Sequence, residues 1–342
     1  MRILYVAFRY DYGFPDRGPS FEHFNFYESL LALGHDLEYF DIGTELSRRG
    51  RDGMNAHLLK RVRDSSPDLM FTCMMGDELD PAVVRRITDE SSTPTFNWFC
   101  DDHWRFEQFT SRWAPCFSWV STTAGSALPK YAALGYSNVI RTQWAAADTL
   151  YQRRDLPLAH DMTFVGQVYG DRPAVIRQLR SSGIDVQTWG TGWSVQRRHE
   201  LAAALPIVRA VGGRRLLERL RASTRCDQDR MLAIFEQSRI NLDLVTSSQG
   251  TEPQIKGRTF EVPACGGFLL EGQTEGIEDY FEPGREIVLY GDVDELISTA
   301  GYYLRHEDER RRIASAGHDR VHAEHTYRHR FGEIFRRMGL TA

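Results

Sequence analysis

One stretch near the C-terminus, 254–270 (QIKGRTFEVPACGGFLL), holds the residues best suited to chemistry. Lys256 and Arg258 precede a short helix that the pattern predicts over 259–264. The free backbone N–H groups of a helix N-terminus, together with two neighbouring cations, form a ready site for an anion such as a diphosphate. A cationic helix start that is simply solvated is the alternative.

Glu261 lies in the first turn of the same predicted helix, where the helix dipole favours a carboxylate in any case. A carboxylate there can also accept two hydrogen bonds from the diol of a ribose. Gly266 and Gly267 are expected to form the turn between this helix and the strand that follows. The stretch is therefore a candidate site for a nucleoside diphosphate.

A second loop, 165–172 (VGQVYGDR), joins a predicted strand to a predicted helix. Gly166 and Gly170 would let the backbone approach a phosphate, and Arg172 at the start of the helix could pair with it through two hydrogen bonds. A tight strand-to-helix turn with a solvated arginine is the alternative.

Titratable groups also follow predicted strands in the N-terminal half. Asp101 and Asp102 come directly after the predicted strand 95–100, and His23 lies in the helix after the first strand. An aspartate or the histidine could deprotonate a substrate hydroxyl. Capping of the next helix accounts equally well for one of the two aspartates, and a single histidine is more often structural.

Alternating strands and helices position all of these groups. The predicted strands are 2–8, 37–41, 68–73, 95–100, 117–121, 138–140, 162–166, 184–189, 240–244, 268–270 and 286–289. The predicted helices are 20–33, 54–65, 80–90, 125–134, 172–181, 229–237, 259–264, 293–304 and 327–338. We therefore expect an α/β protein with two Rossmann-like, doubly wound domains whose sheets face a cleft with their carboxyl ends.

The alternation fails between 145 and 160, and we place the domain boundary there. We predict an N-terminal domain over 1–150, a C-terminal domain over 160–325, and a segment over 326–342 whose helix returns to the N-terminal domain. That helix needs a partner for its apolar face, which consists of Phe331, Ile334, Phe335 and Met338.

The stretch 254–270 resembles the C-terminal domain of the CgeB-type (spore-maturation-like) glycosyltransferases, which have the GT-B fold. The resemblance continues through FEPGRE at 281–286 and RRRIA at 310–314, and it covers most of 160–331. It implies transfer of a sugar from a nucleotide-diphosphate sugar, a UDP- or GDP-sugar, to a hydroxyl group. The acceptor that carries this hydroxyl would be a sugar, glycan, lipid or protein.

The resemblance also implies roles for individual residues. The glutamate just before A-C-G, here Glu261, contacts the ribose, and the basic residues before it, Lys256 and Arg258, hold the diphosphate. The expected donor-binding residues are Gly166, Gly170, Arg172, Lys256, Arg258, Thr259 and Glu261. The catalytic candidates on the acceptor side are Asp101, Asp102 and His23.

One position departs from a pattern of related enzymes. Many retaining GT-B enzymes carry two glutamates separated by seven residues, but Pro253 occupies the first position here and Glu252 lies one place off. The stereochemical outcome is therefore not carried over. The 11 histidines are scattered, and GT-B enzymes generally need no metal, so we expect neither a metal nor a cofactor besides the donor.

Composition limits the partners and the location. The net charge of −5 argues against a sequence-independent nucleic-acid binder. No apolar run reaches the roughly 18 to 20 residues of a membrane-spanning helix, and no secretion signal is recognisable, so we expect a cytoplasmic protein. The segment 196–230, with nine arginines, predicts a helical insertion that is either solvated or in peripheral contact with an anionic membrane or an acidic glycan.

Two other functions fit the same features. A nucleotide-sugar epimerase or hydrolase of the GT-B type would eliminate or hydrolyse the nucleotide without an acceptor. A non-catalytic nucleotide-sugar-binding paralogue would turn nothing over. A nicotinamide-dependent dehydrogenase is not indicated, because no G-x-G-x-x-G follows the first strand.

Overall fold

Two α/β units make up the chain. The computed structural model describes residues 1–194, 224–249 and 252–340, together with the isolated positions 202, 213, 216, 217 and 220. One unit comprises Met1–Leu150 and Glu324–Ala342, and the other comprises Tyr151–Ala323.

The first unit is built on a six-stranded parallel sheet. Its strands are β1 (Arg2–Ala7), β2 (Asp36–Asp41), β3 (Leu69–Thr72), β4 (Thr95–Phe99), β5 (Trp119–Thr122) and β6 (Val139–Arg141). They lie in the order β2-β1-β3-β4-β5-β6. The central strands are buried on both faces, as in a sheet covered by helices on each side, which is why they read as nearly continuous apolar runs.

Helices connect these strands. They are α1 (Glu28–Ala32), which follows a π-helical turn (His23–Tyr27), α2 (Ile42–Ser65), α3 (Pro81–Glu90), α4 (Asp102–Arg105), α5 (Ser111–Trp113) and α6 (Leu128–Ala133). The prediction of 54–65 was too short for α2. The helix begins at Ile42 because the Asp41 carboxylate accepts hydrogen bonds from the N–H groups of Gly43 and Thr44, at 3.2 and 3.3 Å. Its continuity is broken by a kink at Gly50, where φ is 67°.

The second unit contains a five-stranded parallel sheet in the order β11-β10-β9-β7-β8. The strands are β7 (His160–Val165), β8 (Val186–Trp189), β9 (Ser238–Asp243), β10 (Leu269–Gly272) and β11 (Val288–Tyr290). Within the continuous described ranges, the helices of this unit are α7 (Arg172–Ser181), α8 (Gln228–Gln237), α9 (Arg258–Ala264), α10 (Val293–Arg305) and α11 (Glu307–Glu324). The two parallel α/β sheets confirm the expected fold class.

A last helix, α12 (Tyr327–Arg337), packs on the first unit. The Phe331 ring lies 5.8 Å from that of Phe26 and 5.6 Å from that of Phe71. The backbone of Ala146 bonds to that of His325 and Tyr327, at 3.1 and 3.0 Å. Both ends of the chain therefore contribute to the core of the first unit.

Two features of the sequence concern membranes. Within the described ranges, every helix is too short or too polar to cross a bilayer. The predicted basic insertion at 196–230 falls largely outside the described residues, so its expected membrane or glycan contact stays a prediction.

Candidate functional site

The carboxyl edge of the second sheet brings most of the predicted donor-binding residues together. The loop 166–171 follows β7, the segments 244–249 and 252–257 follow β9, and α9 begins at Arg258. Ligands of open parallel sheets bind at this edge, where the loops supply the contacts.

Lys256 ties two of these loops together. Its Nζ donates to the carbonyl oxygens of Leu244 and Thr246, at 3.1 and 2.6 Å, and to the Tyr169 hydroxyl, at 2.8 Å. All three acceptors are neutral oxygens, and together they fix the position of the ammonium at this edge. A cation held in this way can attract a ligand anion.

Arg172 is held inside the unit rather than solvated. It is 4% exposed, and its guanidinium donates to the carbonyl oxygens of Gln167 and Leu244, at 3.0 and 2.7 Å. It lies 3.7 Å above the Tyr169 ring. Burial lowers the pKa of Arg172. Both alternatives for Arg172 assumed an accessible guanidinium. The observed guanidinium is buried and donates instead to the backbone of the loop 166–171.

The two loop glycines have different environments. A Cβ added at Gly166 would lie 2.7 Å from the Phe164 ring, and one added at Gly190 would lie 2.1 Å from the Gly166 carbonyl oxygen. That oxygen also accepts a hydrogen bond from Trp193 Nε1 at 2.7 Å. Gly166 is therefore tightly packed, whereas a Cβ added at Gly170 would have nothing within 4 Å.

Arg258 and Glu261 form a buried ion pair. The Arg258 Nη1 donates to Glu261 Oε2, and the Tyr151 hydroxyl donates to Glu261 Oε1 at 2.9 Å. Glu261 is fully buried, whereas the Arg258 side chain is 27% exposed. Burial lowers the pKa of Arg258, and the charge of Glu261 is the largest cause that raises it. The net result is a raised pKa. Sequence reasoning missed Tyr151, because 110 residues separate it from Glu261.

A pair of buried acids lies beside this network, and sequence reasoning missed it as well. Thr259 donates to Glu271 Oε1 at 2.8 Å and accepts from the Lys256 backbone N–H at 3.3 Å. Pairing of β9 with β10 sets Asp243 opposite Glu271. Burial, and then the Asp243 charge, raise the pKa of Glu271 well above its ordinary value. The only signal in the sequence is an acid at the end of each apolar strand.

The two aspartates of the first unit have separate environments. Asp102 is 2% exposed, and its carboxylate accepts from the hydroxyls of Thr110 and Tyr131, at 2.6 and 2.7 Å. Asp101 occupies the N-cap position of α4 but makes no capping bond through its side chain. Capping therefore accounts for neither aspartate. Burial is the main cause that raises the pKa of Asp101.

Glu22 is a further titratable group of this unit whose pKa is affected by Asp101. Burial raises the pKa of Glu22, and the charge of Asp101 adds to this effect. The His23 ring stacks on Tyr27 with centroids 5.2 Å apart, and its Nε2 lies 3.4 Å from the Glu28 carboxylate. Burial lowers the pKa of His23. Glu22, a neighbour of His23 in sequence, was not predicted.

Metal ligation has no candidate in the part of the chain that the structure describes. No group of three histidine, cysteine, aspartate or glutamate side chains there is arranged to hold an ion.

Comparison with known proteins gives one family match. Residues 172–336, just under half of the chain, match a family described as glycosyl transferase-like. No curated protein matches the sequence in a direct search.

Several solved structures share the fold over nearly their whole length. Sucrose-phosphate synthase from Thermosynechococcus elongatus has a TM-score of 0.65 at 11% identity, with 99% of each chain covered. HepE from Anabaena, solved with UDP and glucose, has a TM-score of 0.61 at 13% identity, with 98% of this chain and 99% of HepE covered. AviGT4, a glycosyltransferase of avilamycin A biosynthesis, has a TM-score of 0.58 at 14% identity, with 98% and 97% covered. At these identities the structures establish the GT-B fold, and the family match supports a glycosyltransferase.

Proposed function

We propose that this glycosyltransferase of the GT-B fold takes its sugar from a UDP- or GDP-sugar and transfers it to a hydroxyl of a sugar, glycan, lipid or protein. The finer assignment to the CgeB-type enzymes, which rests on the sequence resemblance, belongs to the same proposal. Neither a metal nor a cofactor takes part. The observation that carries the proposal is the Lys256 ammonium, which three neutral acceptors hold at the carboxyl edge of the second sheet.

Lys256 and Arg258 supply the positive charge for the diphosphate. The Lys256 ammonium donates to three neutral oxygens at this edge, and its positive charge would attract the diphosphate of a donor. Arg258 is partly exposed and fixed by Glu261, which orients the guanidinium. Charge placed in this way stabilises the departing nucleoside diphosphate, and positioning of the donor supplies much of the remaining rate enhancement.

Glu261 is fully buried, so it can contact a ribose only if a side chain that covers it moves. Its two oxygens accept hydrogen bonds from Tyr151 and Arg258. When the diphosphate attracts Arg258, Glu261 Oε2 becomes available to a ribose hydroxyl. Recognition of the ribose is then coupled to recognition of the diphosphate, because the same arginine serves both.

The first unit supplies the base in this proposal. Asp101 is the better candidate of the two predicted aspartates, because the Asp102 carboxylate is occupied by two hydroxyl donors. A raised pKa brings a carboxylate closer to the value that suits a general base at neutral pH. Glu22 joins Asp101 as a second candidate because their charges interact. His23 is the third candidate.

Thermal shift is the direct test. The full chain is heated with UDP, GDP, ADP and CDP, with their sugar derivatives, and with sulfate at equal ionic strength as the anion control. A ligand that binds only the folded state raises the Tm by mass action. At a concentration of 100 times its Kd, such a ligand adds about 2.7 kcal/mol to the free energy of unfolding. A shift with UDP or GDP that sulfate does not produce supports the proposal, and the absence of a shift with every nucleotide refutes it.

The chemistry is tested separately on the nucleotide sugar that binds best. Nuclear magnetic resonance follows the anomeric signals of the donor with and without a panel of acceptors. Transfer predicts a new glycoside only when an acceptor is present. Epimer formation, or release of the nucleotide at an unchanged rate without any acceptor, would instead identify the epimerase or hydrolase alternative. Binding with no turnover would identify the non-catalytic paralogue.

A further inference from the structure

A cavity in the Tyr151–Ala323 unit lies away from the carboxyl edge of the sheet. Its volume is about 500 Å³, and its lining includes Ser238 and Phe268. Ser238 is the first residue of β9, and Phe268 directly precedes β10. Since the strands are parallel, this cavity lies at the amino edge of the sheet. A six-residue strand such as β9 is about 20 Å long, and this length separates the cavity from the candidate donor site.

The lining of this amino-edge cavity is strongly basic. Four arginines line it, Arg153, Arg239, Arg310 and Arg311, against two acids, Asp155 and Glu236. Each acid already has a partner, since Asp155 accepts from Arg153 at 2.7 Å and Glu236 accepts from Arg154 at 2.8 Å. The excess positive charge therefore comes from the side of the cavity that α11 and the start of β9 form.

On this side of the cavity, the buried guanidinium of Arg310 has one nitrogen without an acceptor among the described residues. It is 3% exposed, and its Nη1 donates to the Tyr303 carbonyl oxygen at 2.6 Å. Its Nη2 is buried and has no hydrogen-bond partner among the described residues. The paired Glu307 oxygen lies 3.9 Å from it, beyond hydrogen-bond distance. A buried guanidinium nitrogen without an acceptor is costly, and an anion in the cavity would supply one.

Two carboxylates serve three guanidinium groups here, because Asp161 pairs with Arg239 at 3.3 Å beside Glu307. Glu307 also pairs with Arg239 at 3.5 Å and with Arg311 at 2.5 Å. Burial and the neighbouring Arg239 are the largest causes that lower the pKa of Arg310. The three guanidinium groups still outnumber the two carboxylates, so a further negative charge at this point would relieve repulsion among the arginines.

We propose that the amino-edge cavity binds a small organic anion through a phosphate group held by Arg239, Arg310 and Arg311. The planar fork of arginine matches phosphate oxygens with two parallel hydrogen bonds, which favours phosphate over a simple halide. A volume of about 500 Å³ suits a small molecule. Leu156 and Leu158 line the same cavity and provide apolar surface for the organic part.

Inorganic phosphate is the probe that tests the arginine cluster itself. Titration calorimetry of the full chain is carried out at constant ionic strength, with chloride as the balancing anion. The informative variants are Arg311→Gln and Arg312→Gln, which change neighbouring, exposed arginines of α11 and remove the same charge. Only Arg311 lines the cavity. A third variant, Arg310→Lys, keeps the charge but removes the fork.

We expect the wild-type chain to bind one phosphate. Arg311→Gln should weaken binding about tenfold, the factor that corresponds to a loss of about 1.4 kcal/mol. Arg310→Lys should weaken it as well, and Arg312→Gln should bind as the wild type does. The proposal is overturned if no phosphate binds, or if Arg311→Gln and Arg312→Gln weaken binding equally, which would indicate general charge attraction. It is also overturned if only Lys256→Met abolishes binding, because the phosphate would then occupy the candidate donor site.

Discussion

Replacing Lys256 by methionine tests the candidate donor site most directly. The change keeps an unbranched side chain as far as Cε and removes the ammonium together with its three hydrogen bonds, which span 2.6 to 3.1 Å. The two carbonyl oxygens do not lose every donor, because Leu244 still accepts from Arg172 at 2.7 Å and Thr246 still accepts from the Tyr169 hydroxyl at 3.1 Å. The variant should therefore fold, with a stability lower by about 1 to 3 kcal/mol.

Lys256→Met should weaken binding of the nucleotide strongly even though the variant still folds. A hydrogen bond to a charged group contributes about 1.5 to 3 kcal/mol. At about 1.4 kcal/mol for each factor of ten, its loss raises the Kd for UDP or GDP about 10- to 150-fold. Titration calorimetry with the full chain measures this change directly, and the Tm of each variant reports the accompanying change in stability.

Two further variants separate charge from position. Tyr169→Phe removes one acceptor of the ammonium but keeps the positive charge, so its affinity should fall less than that of Lys256→Met. Lys130→Met removes a largely exposed lysine of the first unit, which pairs with Glu107 at 3.0 Å, and should leave the affinity unchanged. A folded Lys256→Met variant that binds the nucleotide within about twofold of wild type would refute the role of Lys256.

Three other predictions address the remaining groups. Asp101→Asn should lower the transfer rate about 10²- to 10⁴-fold with little change in Tm, whereas Asp102→Asn should mainly lower the Tm, because Thr110 and Tyr131 both donate to its carboxylate; wild-type transfer rates in both variants would place the base elsewhere. The pKa of Glu271 in the folded state lies well above the ordinary glutamate value of 4.5. The folded state therefore keeps a proton that the unfolded chain loses above this pH, and the free energy of unfolding should fall as the pH rises. Glu271→Gln should flatten this fall in urea midpoints measured from pH 5 to 8, whereas the exposed control Glu275→Gln should keep the wild-type profile, and parallel profiles for all three proteins would contradict the assignment. Gly190→Ala should displace the loop at Gly166 and weaken nucleotide binding, whereas Gly183→Ala, which also has a positive φ but open space around it, should lose only about 1 kcal/mol of stability and keep the affinity.

The strands could be predicted from the sequence because both sheets are parallel and buried on both faces. Such strands are short apolar runs that end at polar or glycine residues, and β1 shows this pattern clearly. Helix α11 gave no such signal. Its buried positions are Arg310, Ile313, Gly317 and Val321, so an arginine and a glycine stand where the apolar stripe of a helix would be.

The grouping of residues in the candidate site was predictable where they are close in sequence. Lys256, Arg258 and Glu261 lie within one loop and one helical turn, so spacing alone placed them together. Tyr151 and Glu271 reach the same network from distant segments, through pairings that depend on the fold. The degree of burial was equally hard to foresee, since the charge of Arg172 suggested a solvated group.

The buried Arg258–Glu261 pair also limits what a single substitution can prove about the ribose contact. Removal of one partner from a buried ion pair leaves an uncompensated charge and costs about 3 to 5 kcal/mol, whatever the function of the pair. Glu261→Ala would leave Arg258 without its carboxylate and Tyr151 without its acceptor, so a loss of nucleotide affinity could reflect a disturbed loop. Lys256 does not have this problem, because its carbonyl acceptors keep other donors. The affinity of the Lys256 variant therefore tests the nucleotide site first, and Glu261 variants are compared with it afterwards.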